Sequence, residues 1–247
     1  MDAPPKRTID RQVTQQKGSL GEPGGTNRTI AGVFNRILES ADIILFVALL
    51  TLYVWVVLPV TAAKSPWKEV FILAALGVAT ASTWRSGATA RECGIRLDNF
   101  PRSAALYGTS ALAYSAVTLF WFRERLGRPV EPWWPSPRGV AWLLLWGLLQ
   151  QYCLLSFLFR RLRKILRKDL LASLTAAGIF AFFHLPNPFL TLYTLGGGII
   201  ATLLFLRWPS LPAAGLAHMV SSLLAGGLLP GDVTGWMRVG PLYGWSP

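Results

Sequence analysis

The sequence predicts an all-α membrane protein, a polytopic helical bundle of about seven transmembrane helices. Three observations carry that prediction. Only 15% of the 247 residues are charged, against roughly 25% in an ordinary soluble domain. Hydrophobic residues make up 52% of the chain, including 11 Trp, and the mean hydropathy is +0.41. The 24 Lys and Arg and the 12 Asp and Glu cluster between long apolar stretches. Together these exclude a disordered chain, a disulfide-rich secreted miniprotein and a typical cytosolic enzyme.

The apolar stretches are 43–63, 70–84, 103–122, 139–159, 170–185, 189–206 and 211–229, which hold 130 residues and no Asp, Glu, Lys or Arg. A spanning helix needs ~20 apolar residues. Four segments lie near that length. The other three are shorter and need flanking Trp, Lys or Arg to reach the interface. Water cannot satisfy backbone groups in hydrocarbon, so each segment reads as a helix.

The elements follow in chain order. Residues 1–40 are polar and rich in Gly, Gln and Thr. They read as a disordered cytoplasmic tail without an apolar signal-peptide region, so the first helix is an uncleaved anchor. Residues 41–137 hold the N-terminal transmembrane helices, 138–230 a core and 231–247 a C-terminal tail. Trp67, Trp84, Trp121, Trp133, Trp134 and Trp208 stand at segment ends, as an interfacial aromatic belt requires. Gly196-Gly197-Gly198 allows another helix to approach the sixth span closely. Cys93 falls in a loop and Cys153 inside a helix, so no disulfide framework is expected.

The loops set an orientation. With the N-terminus cytoplasmic and all seven segments spanning, the cytoplasmic face carries 17 Lys and Arg and the opposite face seven. That split obeys the positive-inside rule. The net charge of +12 therefore requires no nucleic-acid partner. The run Arg160–Lys168 follows a span directly and suits anionic membrane lipids as partners, with an RNA-binding patch as the rival reading. The expected location is integral and multi-pass, in a bacterial-type inner or plasma membrane.

Both histidines of the chain, His184 and His218, lie inside predicted spans. Ionisable groups there are functional candidates by default, although an imidazole can also serve as a hydrogen-bonding link between helices. Phe180 and His184 are four residues apart and share a helical face, and His218 and Ser222 have the same separation. Gln150 and Gln151 project about 100° apart on the fourth span, and Leu155 lies one turn beyond Gln151. A cluster of Gln, Gln, His, His and Ser from three helices follows. The depths agree less well, with His184 toward the outer end of its helix and His218 toward the inner part of its own.

These motifs carry a resemblance. The family of CAAX-protease and bacteriocin-processing (CPBP or ABI) intramembrane proteases has Glu-Glu-x-x-x-Arg on one helix, Phe-x-x-x-His on the next and His-x-x-x-Asn on a later one. This chain reads Gln150-Gln151-Tyr152-Cys153-Leu154-Leu155, then Phe180-Ala181-Phe182-Phe183-His184, then His218-Met219-Val220-Ser221-Ser222. Order and spacing match from about Gly139 to Leu229. The basic run, the Gly-rich helix and the segment Arg207–Leu211 between the motifs agree as well.

The resemblance implies a CPBP-like helical core and an intramembrane endopeptidase acting on membrane-associated or prenylated tails. It puts Gln150, Gln151, His184, His218 and Ser222 at the catalytic motif positions. Phe180 and Leu155 become substrate-binding positions, and His184 with His218 the candidate ligands of a zinc ion. The departures are specific. Both glutamates are amides, the arginine is Leu155 and the asparagine is Ser222. An amide accepts no proton at neutral pH, so Gln150 and Gln151 cannot act as a general base. They can still hold a water or a substrate through hydrogen bonds. Two histidines fall short of the usual three protein ligands of a catalytic zinc. Once the second glutamate is neutral, an unpaired intramembrane arginine is costly, so its replacement by leucine fits coordinated divergence. Three readings stand: a CPBP endopeptidase with modified chemistry, a pseudoprotease that binds a peptide or protein tail, and a non-catalytic scaffold, small transporter or lipid-binding protein. Ser221 or Ser222 as a nucleophile is a further variant of the first.

Overall fold

The structure is a computed structural model that describes residues 24–61, 65–126 and 135–244, with side chains from Ile37 onward. Among the described residues every regular element is a helix. The chain divides between Ile37 and Leu38 into two compact units. Helix α1 (Gly24–Leu52) continues through a π-helical stretch, Tyr53–Val57, into the short α2 (Leu58–Val60). Helices α3 (Trp67–Arg85) and α4 (Phe100–Trp121) follow. Then α5 (Pro137–Gln151), a π-helical stretch Tyr152–Phe159 and α6 (Arg160–Leu166) run on without a break. Helices α7 (Asp169–Phe182), α8 (Pro188–Arg207), α9 (Leu211–Leu228) and the short α10 (Gly231–Thr234) complete the order.

Each of the seven charge-free stretches falls on a helix. Four helical segments are long and apolar enough to cross a bilayer: Ile37–Val60, Pro137–Leu166, Pro188–Arg207 and Leu211–Leu228. At ~1.5 Å per residue, the 14 residues of α7 reach only about 21 Å, short of a hydrocarbon core of about 30 Å. The fold is thus an all-helical membrane bundle with four spans supported by length and composition.

Helix α1 begins at Gly24, inside the stretch expected to be a disordered tail. Ile30, Val33, Phe34, Ile37 and Leu38 recur at helical spacing, an amphipathic signal that the polar composition of 1–40 hides. Residues 1–23, with the rest of the tail prediction, lie outside the described residues, as do Trp133 and Trp134 of the aromatic belt. Trp67, Trp84 and Trp121 are exposed at helix ends, and Arg102 stacks 5.5 Å over the Trp208 ring.

Local chemistry sets the boundaries. Ser136, Asn187 and Ser210 cap α5, α8 and α9, their side-chain oxygens accepting from Gly139, Leu190 and Ala213 backbone N–H groups. A proline follows within the first turn of each, where a missing donor is harmless. Small residues then let the helices meet. A Cβ on Gly147 of α5 would stand 3.0 Å from the Gly215 carbonyl oxygen of α9, and one on Gly215 3.2 Å from Leu148 Cα. In the Gly-rich part of α8, a Cβ on Gly196 would strike Tyr114 of α4, and one on Gly198 would meet Ala177 Cβ of α7 at 3.1 Å. The close approach expected at the glycine triplet therefore serves two neighbouring helices.

The α5–α9 crossing supplies a first test. Gly147→Ala should lower stability in detergent by about 1–3 kcal/mol, because backbone faces backbone and little can relax. Gly108→Ala, where a Cβ meets nothing within 4 Å, should be neutral or mildly stabilising. Equal melting temperatures for the two variants would contradict the crossing.

The apolar core lies around the π-helical stretch. Leu154, Leu155, Phe157, Leu158 and Phe159 are essentially inaccessible. Phe46 of α1 packs on Phe157 at 5.1 Å and on Phe183 at 6.4 Å between ring centroids. At one end of the bundle a charged network joins three helices. Arg161 of α6 pairs with Glu39 of α1 at 3.1 Å and donates to the Ser82 carbonyl of α3. Asp42 accepts from the Ser82 hydroxyl and from Arg85.

Candidate functional site

A cavity of about 670 Å³ lies within the bundle. Its wall is mostly apolar, and among the described residues no Asp, Glu, Lys or Arg lines it. Gln150, Gln151, His184, His218, Ser221 and Ser222 supply polar groups to it. The five motif positions read from the sequence therefore share one cavity. The mismatch in depth disappears in three dimensions. Helix α7 ends at Phe182, so His184 sits in the turn beyond it rather than inside a straight span.

The π-helical stretch begins directly after Gln151. Such stretches are rare and gather at functional sites. Its wider turn shifts the side chains that follow. Leu155, one α-turn beyond Gln151 in the linear reading, is fully buried in the apolar core. It is absent from the cavity wall, so the substrate-binding position assigned to it is not supported by its place. Phe180 does line the cavity.

The imidazoles are held from behind. His184 Nδ1–H donates to the Phe180 carbonyl at 2.8 Å, which leaves Nε2 as a bare acceptor. Gln151 Nε2 donates to His218 Nδ1 at 3.0 Å, which places the ring proton on Nε2. The orienting partner of His218 is thus Gln151, on another helix. The Phe180 ring touches both imidazoles edge-on, with centroids at 5.1 Å from His184 and 6.4 Å from His218.

Two acceptors remain. Gln150 Oε1 and Gln151 Oε1 are buried and have no hydrogen-bond partner among the described residues. A buried amide oxygen left unpaired costs about 1–3 kcal/mol. Two adjacent ones beside a cavity therefore mark a place where a ligand's donors are wanted.

The donor set does not fit a catalytic zinc. Only two histidines are at hand, a third protein ligand is the rule, and no group of three or more His, Cys, Asp or Glu converges among the described residues.

Sequence reasoning passed over Tyr193 of α8. Its hydroxyl lies 3.0 Å from Ser115 Oγ and donates to the Ser221 carbonyl at 3.3 Å, so it ties α4 to α9 along the cavity wall. A tyrosine inside an apolar span was the available signal. Met237 and Val239 of the C-terminal segment also reach the cavity. Asn187 holds that segment by donating to the Thr234 and Arg238 carbonyls at 2.8 and 3.0 Å. No local pattern announces such a long-range contact.

Neither a curated protein nor a solved structure matches the chain. A family does: residues 132–224 match the type II CAAX prenyl endopeptidase Rce1-like family, and this stretch contains every motif position gathered around the cavity. The chain is thus an all-helical membrane protein whose residues 132–224 are similar to the Rce1-like CAAX-protease family, with Gln150-Gln151 where the resemblance places paired glutamates.

Proposed function

We propose that this protein binds the tail of a membrane-associated peptide or protein in its intramembrane cavity and does not hydrolyse it. One observation carries the reading: Gln150 and Gln151 present two buried, unpartnered amide oxygens where a protease of this kind would present carboxylates. An amide oxygen, like a carboxylate, accepts hydrogen bonds from backbone N–H groups, but it takes no proton from water. Peptide N–H groups match the two oxygens and the bare Nε2 of His184. The apolar wall suits the hydrocarbon part of a membrane-bound tail. The excess of Lys and Arg on one set of loops supports a cytoplasmic N-terminus in a bacterial-type inner or plasma membrane.

The test is equilibrium binding of a prenylated tail peptide to the purified chain, followed by mass analysis of the recovered peptide. Saturable binding is expected, with the peptide intact after prolonged incubation. Gln151→Leu should weaken binding by about tenfold, the equivalent of ~1.4 kcal/mol for one buried hydrogen bond. Turnover by the unaltered protein that His184→Ala abolishes would overturn the proposal, as would an absence of binding.

A further inference from the structure

A second concavity, of about 550 Å³, lies away from the cavity, at the end of the bundle where α6 and α8 finish. Its wall carries Arg160, Arg163, Lys164 and Arg167 against Glu92 and Asp169. The carboxylates there do not neutralise the cations. Arg160 lies 3.6 Å from Glu92, and Arg163 Nε donates to Asp169 at 2.7 Å. Lys164 reaches Glu39 at 3.4 Å, yet that carboxylate is already paired with Arg161 at 3.1 Å. Among the described residues Arg167 has no ion pair. The groove thus presents surplus positive charge from Lys164 and Arg167.

The backbone at Arg167 adds an independent point. This residue ends α6 in the left-handed conformation, φ 55°. Where a helix ends on a left-handed residue, that residue is usually glycine, because a Cβ there costs about 1–2 kcal/mol. An arginine held in a strained position, with its charge unmatched, points to a use for the side chain.

The rest of the groove is apolar. Phe159, Phe205 and Leu206 line it, and the Arg163 guanidinium sits 5.7 Å over the Phe159 ring. Beyond Asp169, α7 turns Leu170, Leu171 and Leu174 outward, all exposed. The groove also sits where two bilayer-length segments end, Pro137–Leu166 and Pro188–Arg207. A cationic rim, an apolar floor and a continuing greasy face occur together at the level of an interface.

We propose that this groove is a binding site for the anionic headgroup of a phospholipid, with Arg167 and Lys164 holding the phosphate and an acyl chain running along the outer face of α7. The site is distinct from the tail-binding cavity and does not depend on its occupancy. Each nearby Lys or Arg adds about 1 kcal/mol of attraction for anionic lipid, and an apolar floor discriminates a lipid from a free anion.

The experiment measures the affinity of the full chain in detergent for dioleoyl-phosphatidylglycerol and dioleoyl-phosphatidylcholine, by resolving lipid-bound states in a mass spectrum. Phosphatidylglycerol should bind at least about tenfold more tightly, and added salt should shrink the difference. Arg167→Gly should reduce the preference about fivefold. That variant should fold at least as well as the parent, because glycine relieves the left-handed strain. Arg125→Gln, on the loop after α4, should leave the preference unchanged. Equal binding of the two lipids, or a full preference in Arg167→Gly, would overturn the assignment. So would equal occupancy by inorganic phosphate alone, or displacement of the lipid by an oligonucleotide at constant ionic strength, which would assign the groove to a free anion or to nucleic acid.

Discussion

Glu39→Ala is expected to destabilise the bundle by about 3–5 kcal/mol, the largest loss anticipated for a single side chain. Arg161 is 6% exposed, and its guanidinium is satisfied by the Glu39 carboxylate at 3.1 Å and by the Ser82 carbonyl. Removing Glu39 leaves a buried cation with one neutral partner. The nearest other carboxylate of the network, Asp42, is already engaged by Arg85 and Ser82. The pair itself need not be strongly stabilising, since desolvation offsets most of its attraction. The double variant Glu39→Leu with Arg161→Leu should therefore recover most of the loss. Thermal unfolding in detergent checks both halves. A single-variant loss below about 1 kcal/mol, the range of a solvated surface pair, would show that the network is open to water.

The second large effect is a gain. Gln150→Glu, Gln151→Glu and Leu155→Arg combined should turn the cavity into a hydrolytic site and raise cleavage of a prenylated tail peptide about 10²–10⁴-fold over the parent, the range ascribed to a positioned general base. The geometry explains why all three changes are needed. The two glutamates would supply carboxylates at the positions of the unpartnered amide oxygens, close to His184 and His218. Position 155 is fully buried, so Leu155→Arg alone would bury an unpaired cation and should lower stability by several kcal/mol. The π-helical turn sets position 155 off the face of position 151, so stability returns in the triple variant only as far as the long arginine side chain reaches back to the carboxylate at position 151. A parent protein that cleaves as fast as the triple variant would contradict the pseudoprotease reading. A folded triple variant without activity would show that the amides are not what blocks hydrolysis.

The helices were readable because a bilayer enforces one rule along the chain. Charge must stay out of the hydrocarbon and every backbone group must be paired within its own segment, so runs such as 43–63 and 211–229 announce themselves by composition. The motif residues were readable by spacing, since Phe180 with His184 and His218 with Ser222 each sit one turn apart. The first turns of α1 were missed because amphipathic spacing is weaker than polar composition. Leu155 was misplaced for a different reason. A four-residue spacing defines a shared face only in an α-helix, and the stretch after Gln151 is π-helical. No residue type in Tyr152–Phe159 reveals that change.

The scarcity of charge and its segregation, set by the solvation of ions and amides, determined from sequence alone that this is a helical membrane protein. The order of three short motifs determined its family resemblance. Tertiary structure decided what those residues do to one another. The Gly147–Gly215 crossing lets Gln151 reach His218, and two amide oxygens are left facing a cavity without a partner. These are contacts between helices distant in the chain, governed by steric fit and hydrogen-bond geometry, and no local pattern encodes them.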